Sequence, residues 1–319
     1  MAEIYMKPRN VKALKLKKLD EKKRHVSDAP GTRITQNLNQ AQRERTILIG
    51  IPTLGIIRME WDVHRRGQTI PLNWSSGEVT AGHAPDSEVA LGYSVADAQN
   101  VIVERAVMDG YKHLLIWEDD VLPPFDALLR LAVHIDKETA PIISGLYFSK
   151  GNPTWPLVFR GRGNGTFRNF ALGEMVWCDG VPTGFLLVDC KILSYLWYHS
   201  KEYRLPDGRK LREVFKIPRT SWFDPEHDRY FAEMGTSDLH FCHRIITEKI
   251  FAKTGFHKFA KMRYPFVVDT NIFCQQIDLN GVMYPAHAEE VLLPIKTKAS
   301  DARWHPITGP VLSKKQKAS

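Results

Sequence analysis

Apolar positions along the chain fall into two patterns, short unbroken runs and runs that recur at helical spacing. Thr46-Ile-Leu-Ile-Gly-Ile-Pro52 is the first short run, bounded by a charge cluster and a proline, and it reads as a strand buried on both faces. Residues 60–93 break any period at Pro71, Asn73, Gly77, Gly82 and Pro85, which predicts loop and short elements. From Ser94 the pattern turns helical: Ser94 with Asp97 fits a capping box, Val95, Ala98, Val101, Ile102 and Ala106 line one side, and Gly110 supplies the stop. His113-Leu-Leu-Ile-Trp117 is a second buried strand and ends directly in Glu118-Asp119-Asp120. A helix is then predicted from Val121-Leu-Pro-Pro124 to about His134, and a third strand over 141–147.

Strand, helix, strand, helix, strand at this spacing predicts an α/β fold with right-handed crossovers and a mostly parallel sheet covered on both faces. Such sheets bind ligands beyond the carboxyl ends of their strands. Pro52-Thr53 and the acidic triplet lie at two of those ends. The second half is less regular. Gly161-Arg-Gly-Asn-Gly165 reads as a hairpin or loop, and Met175-Val-Trp177 and Phe185-Leu-Leu-Val188 read as strands. Residues 200–235 are loop-rich, a helix is predicted from about Ser237 to Lys253, and the pattern fades after Pro294.

Composition adds little to this until the charge is located. The 319 residues, 43% hydrophobic and 25% charged, exclude a disordered, collagen-like or disulfide-scaffold chain. No run approaches the ~18 apolar residues of a membrane span, and no apolar stretch near the start reads as an export signal. The net charge of +8 is concentrated at the ends: residues 1–45 hold twelve Lys/Arg against five Asp/Glu, and Lys314, Lys315 and Lys317 close the chain. The residues between are slightly acidic, which argues against a nucleic-acid partner. Val11, Leu14, Leu16 and Leu19 among the N-terminal lysines fit either a solvated tail or an amphipathic helix at an anionic membrane surface or partner. Cys178, Cys190, Cys242 and Cys274 form no CxxC pair and are expected as buried free thiols in the cytoplasm.

The triplet carries the chemistry. Adjacent carboxylates raise one another's pKa, and a hard divalent cation, Mg²⁺ or Mn²⁺, removes that repulsion while taking substrate phosphates as further ligands. The chain has no GxxxxGK[ST] and no GxGxxG opening a helix after the first strand, so no glycine nest is expected to hold phosphate. Sugars have apolar C–H faces, and Trp177 and the Trp222-Phe223 pair are candidate platforms.

Taken in order, the segments ending Gly-Ile-Pro-Thr53, the helix with Gln99-Asn100, Trp-Glu-Asp-Asp120-Val-Leu-Pro-Pro124, Gly180-Val-Pro-Thr-Gly-Phe185 and Thr236-Ser-Asp-Leu-His-Phe-Cys-His-Arg244 resemble GT-A glycosyltransferases, close to family two. The resemblance covers roughly residues 46–280. It implies a GT-A type, Rossmann-like sheet flanked by helices, with a nucleotide-sugar half over 46–150 and a loop-rich acceptor half over 151–290. Residues 1–45 would be an extension and 291–319 a tail. Pro52, Thr53, Asn100 and Asp119 would contact a nucleoside-diphosphate sugar, and Thr183 and Gly184 would floor the cleft. Glu118 and Asp120 take the outer positions of the family's Asp-x-Asp motif and would ligate the metal. No histidine stands at Cys274–Asp278 to complete that shell, which leaves His287 or His305. Asp238 matches the catalytic base, which implies inversion at the anomeric carbon during transfer to a glycan, lipid or protein acceptor. A helix cap is the plainer role for Asp238. Two other classes remain open: a degenerate binding module docked on nucleic acid or membrane through its basic ends, and a nucleotidyltransferase.

Overall fold

The computed structural model describes residues 46–71, 87–151, 154–161, 166–226 and 228–286, with the backbone of two further strands at 303–305 and 309–311. The expectations for residues 1–45, for His287 and for most of the tail lie outside these residues.

β1 (Ile47–Thr53) is buried at every position, as an unbroken apolar run requires. After α1 (Met59–Arg66) the chain reaches β2 (Ser87–Leu91), which pairs with β1 in parallel as a largely exposed edge. α2 (Val95–Met108) begins as its sequence predicts, with the Ser94 side chain accepting from the Asp97 N–H, and Gly110 at φ +75 follows its end. β3 (His113–Trp117) returns to the other side of β1, again in parallel.

The next helix differs from expectation. Val121 and Leu122 form a short strand, β4 (Val121–Leu122), and the helix α3 starts only afterwards (Ala127–Asp136). The two prolines explain the shift, because a residue before proline is driven out of the helical region. β5 (Ile142–Leu146), β6 (Met175–Cys178) and β7 (Phe185–Asp189) follow, then α4 (Cys190–His199).

The stretch expected as loop contains two antiparallel hairpins, β8 (Glu202–Arg204) with β9 (Lys210–Arg212) and β10 (Arg219–Asp224) with β11 (Arg229–Met234). The predicted helix from Ser237 is broken into α5 (Ser237–Thr247) and α6 (Ile250–Lys253) at Lys249, whose φ is +56. The break turns Ile250 and Phe251 into the core. α7 (His257–Ala260), β12 (Phe266–Phe273), β13 (Gln275–Ile277) and β14 (Met283–Tyr284) complete this part, and β15 (Arg303–His305) pairs with β16 (Gly309–Val311).

The central sheet has the order β2-β1-β3-β7-β5-β12-β6. β7 runs antiparallel between β3 and β5, and β6 runs antiparallel at the far edge; the remaining strands share one direction. Alternate residues supply two cores. Leu48, Leu114, Ile116, Leu186 and Val188 face Ile102, Leu193 and Phe241 from α2, α4 and α5. Ile49, Ile51, Leu115, Trp117, Phe185 and Leu187 face Trp61 of α1 and Leu128 and Leu131 of α3. Both faces are therefore covered by helices. All four cysteines are buried and free. Among the described residues no helix is long and apolar enough to cross a membrane.

Asn100 of α2 clasps the second half of the chain through both ends of its amide. The Asn100 amide donates to the Phe215 carbonyl at 2.9 Å and to the Tyr203 hydroxyl at 3.0 Å, while its oxygen accepts the Phe215 N–H at 2.8 Å. Replacing it strands two buried backbone groups, each costing roughly 1–3 kcal/mol. Asn100→Ala is therefore expected to lower unfolding free energy by roughly 2–4 kcal/mol in urea titration; an unchanged midpoint would show the clasp to be dispensable.

Candidate active site

The parallel pairing of β1 with β3 sets their carboxyl ends side by side, so Thr53 and the acidic triplet meet. The Thr53 hydroxyl accepts the Gly55 N–H at 2.9 Å and is hydrogen-bonded to Asp119. Antiparallel β7 brings a third segment to the same place. Its Phe185 pairs with Trp117, so the residues just before it lie against those just after β3. The Glu118 N–H donates to the Gly184 carbonyl at 2.9 Å, and the Thr183 hydroxyl donates to Glu118 Oε1 at 3.0 Å. Buried Gln99 of α2 donates to Thr183 Oγ1 at 2.9 Å. A Cβ on Gly184 would lie 2.6 Å from the Tyr147 hydroxyl and 2.9 Å from Val121 Cγ2, which explains why glycine stands there.

The triplet's backbone is pinned from other sides too. Trp61 donates its indole N–H to the Glu118 carbonyl at 2.9 Å, and the Ile277 N–H donates to the Asp120 carbonyl at 2.8 Å. Asp238, in the first turn of α5, accepts its neighbour Leu239's N–H at 2.7 Å and bonds Thr236. It is close enough to act electrostatically on Glu118 and on Tyr147. Lys150 pairs with Asp120, Nζ to Oδ2 at 2.5 Å.

This crowding reshapes the acids. Enclosure by the cleft walls, then the charges of Asp120, Asp238 and Asp119, push Glu118 up to about 8 against the opposing Thr183 hydrogen bond. Burial raises Asp119 too, aided by Asp120 and opposed by Thr53 and Lys150. Asp238 is raised by burial, against its bonds to Thr236 and Leu239. The Tyr147 phenol, buried and surrounded by carboxylates, is raised well above its ordinary value. The cleft thus holds carboxyl groups suited to accept or release protons nearer neutrality than free carboxylates.

The described residues supply no complete protein shell for a divalent metal. Asp120 gives Oδ2 to Lys150 and leaves Oδ1 buried without a partner, and Glu118 Oε1 accepts from Thr183. Among the described residues no group of three or more His, Cys, Asp or Glu is placed to hold a metal ion. Glu118 and Asp120, expected to hold a metal, therefore stand without a third such ligand among the described residues.

The structure brings Pro52, Thr53, Glu118, Asp119, Asp120, Thr183, Gly184 and Asp238 toward one end of the sheet. Asn100 is not among them, since its amide is consumed by Phe215 and Tyr203. Trp177 lies on the far edge strand, its ring stacked on Phe259 at a centroid distance of 6.4 Å, and so is packed rather than offered to a sugar. Trp222 lies on β10 opposite Phe231, and its side chain is outside the described residues. Three contributors escaped the sequence reading of the site: Gln99, Tyr147 and Lys150. The latter two follow β5, so the carboxyl end of that strand was the signal that locates them.

Fold and site together define an α/β protein with a mixed, mostly parallel sheet and a buried acidic cluster where its strands end. No family model matches the chain, and no curated protein does. Among solved structures it is similar to the crystal structure of A197 from STIV, with a TM-score of 0.45 and 12% identity over 79% of this chain and 99% of that one. It is also similar to S. aureus TarS 1-349 in complex with UDP, with a TM-score of 0.31 and 14% identity over 47% of this chain. That match covers 48% of the TarS chain, about half its length. Similarity this distant carries no functional argument, and function rests on the cleft's own residues.

The raised Glu118 carries a sign that can be measured. Its folded pKa of about 8 exceeds the ordinary 4.5, so its contribution to stability is complete below about 4.5 and is lost as pH rises through about 8. Glu118→Gln removes the proton that must be given up. Its melting temperature is expected to gain a few degrees on wild type between about pH 6 and about pH 9, with little gain at about pH 4. Parallel curves across the range would show that Glu118 is not held protonated.

Proposed function

We propose that this protein transfers a glycosyl group from a nucleoside-diphosphate sugar to an acceptor hydroxyl. The observation that carries the reading is the convergence of two threonine hydroxyls, Thr53 and Thr183, with the triplet and Asp238 where parallel strands end. Open α/β sheets bind ligands at that place. In this reading Pro52 and Thr53 line the nucleotide pocket, Asp119 reaches the ribose, and Thr183 and Gly184 form the floor between donor and acceptor.

Asp238 is the base. Burial raises its pKa, which makes it a stronger proton acceptor than a free aspartate. It takes the acceptor's hydroxyl proton as the oxygen attacks the anomeric carbon. The bond from that carbon to the diphosphate oxygen breaks, the diphosphate leaves with the electron pair, and the configuration inverts.

A thermal-shift screen of UDP-, GDP- and dTDP-sugars, with a CMP-sugar as the monophosphate control, tests the reading. A ligand that binds only the native state raises the melting temperature. At least one diphosphate sugar is expected to do so and to be turned over with release of free nucleoside diphosphate. Asp238→Asn is expected to bind that donor normally while losing roughly 100-fold or more in turnover. Full turnover by Asp238→Asn would return the residue to a capping role, and a screen with no stabilising donor would overturn the function.

A further inference from the structure

Bringing a diphosphate to four carboxyl groups is repulsive unless a cation is already there, and the described donors build no metal cage. The structure pairs the cluster with a cation of its own. Lys150 stands just beyond Tyr147, with its Nζ on Asp120 Oδ2, and its charge is also felt at Asp119, Asp278 and Tyr284. The Lys150 and Asp120 side chains remain 36% and 30% exposed, so a ligand can reach the pair.

An ammonium carries three N–H donors, and one bond to Asp120 leaves two for phosphate oxygens. The other oxygen of Asp120, Oδ1, is buried and has no hydrogen-bond partner. Gln99 is wholly buried and joins the cluster through Thr183. The partly exposed Lys150 therefore offers unused donors at the mouth of the acidic cluster, which suit the oxygens of a phosphorylated ligand.

We propose that Lys150 supplies, from the chain itself, the positive charge that holds the donor's diphosphate, with Asp120 as its ion-pair partner in place of a metal-ligand role. The assignment rests on the reading of the cleft as a nucleotide-sugar site. In transfer, the ammonium faces the diphosphate as negative charge builds on it, which is where a fixed cation assists most. Lysine holds phosphate as a point charge and needs no bidentate geometry.

Calorimetric titration of the full chain with inorganic pyrophosphate in EDTA tests the assignment. Wild type is expected to bind, Lys150→Met to bind roughly tenfold or more weakly, and Lys150→Arg, which keeps the charge, to retain most of the affinity. Because Lys150 is partly exposed, Lys150→Met is expected to melt close to wild type, and the Arg variant covers the case in which it does not. Equal binding by wild type and Lys150→Met overturns the assignment, as does binding by wild type only after Mn²⁺ is added. A nucleotide-sugar turnover assay on the same proteins separates this from the parent reading. Turnover with Lys150-independent pyrophosphate binding leaves glycosyl transfer standing and removes Lys150 from it. Lys150-dependent binding with no turnover of any donor supports the lysine as a diphosphate holder and overturns glycosyl transfer.

Discussion

The cleft depends on one junction, the contact between Gly184 and the residue that follows β3. Antiparallel pairing of β7 with β3 delivers Gly184 to Glu118, where a backbone hydrogen bond joins them. The Gly184 N–H is donated in turn to the Tyr147 hydroxyl, which follows β5. Three strand ends are thereby fixed to one residue that has no side chain. Its lack of a Cβ is required, since Tyr147 and Val121 already occupy that space. A methyl group here would move the triplet, the phenol or β4. Overpacking of this kind typically costs 1–3 kcal/mol in a core, and here it would also displace the acids from one another.

Holding the acids together has its own cost, and the surrounding groups show how it is offset. Thr183 donates to Glu118, Thr53 bonds Asp119, Lys150 pairs with Asp120, and Thr236 with the Leu239 N–H serves Asp238. Each carboxyl group has a different partner, so the four are not equivalent. Glu118, the most enclosed, keeps its proton above neutrality, and Asp120 faces a full positive charge. Environments that push neighbouring acids apart in this way allow one cleft to contain both a neutral carboxyl group and charged ones.

Much of this was legible in the sequence, and the reasons for the remainder are specific. Unbroken apolar runs located β1, β3 and β7, the Ser94 cap located α2, and the triplet lay at a strand end as its position implied. Strand order was not legible. Phe185–Asp189 has the same apolar signature whether it runs with its neighbours or against them, and only its register shows that Thr183 reaches Glu118. Gln99 and Asn100 illustrate a second limit. They are adjacent, yet about 100° apart around a helix, so one bonds Thr183 and the other bonds Phe215. Trp177 shows a third, because an aromatic in a short strand reads the same whether it faces a cleft or stacks on Phe259.

The glutamate at the head of the triplet has the reach that its bond to Thr183 requires. The Thr183 hydroxyl lies 3.0 Å from Glu118 Oε1. An aspartate there would be shorter by one methylene, about 1.5 Å, and would leave the hydroxyl and the Gln99 amide behind it without their present chain of donors. The extra carbon commits this carboxyl group to the floor of the cleft, toward β7, instead of toward the opening where Asp120 stands. Asp120 remains the strongest of the charges acting on Glu118. The Lys150 ammonium gives Asp120 one counter-charge at that position. The length of one side chain and the presence of Lys150 are thus two parts of the same electrostatic arrangement.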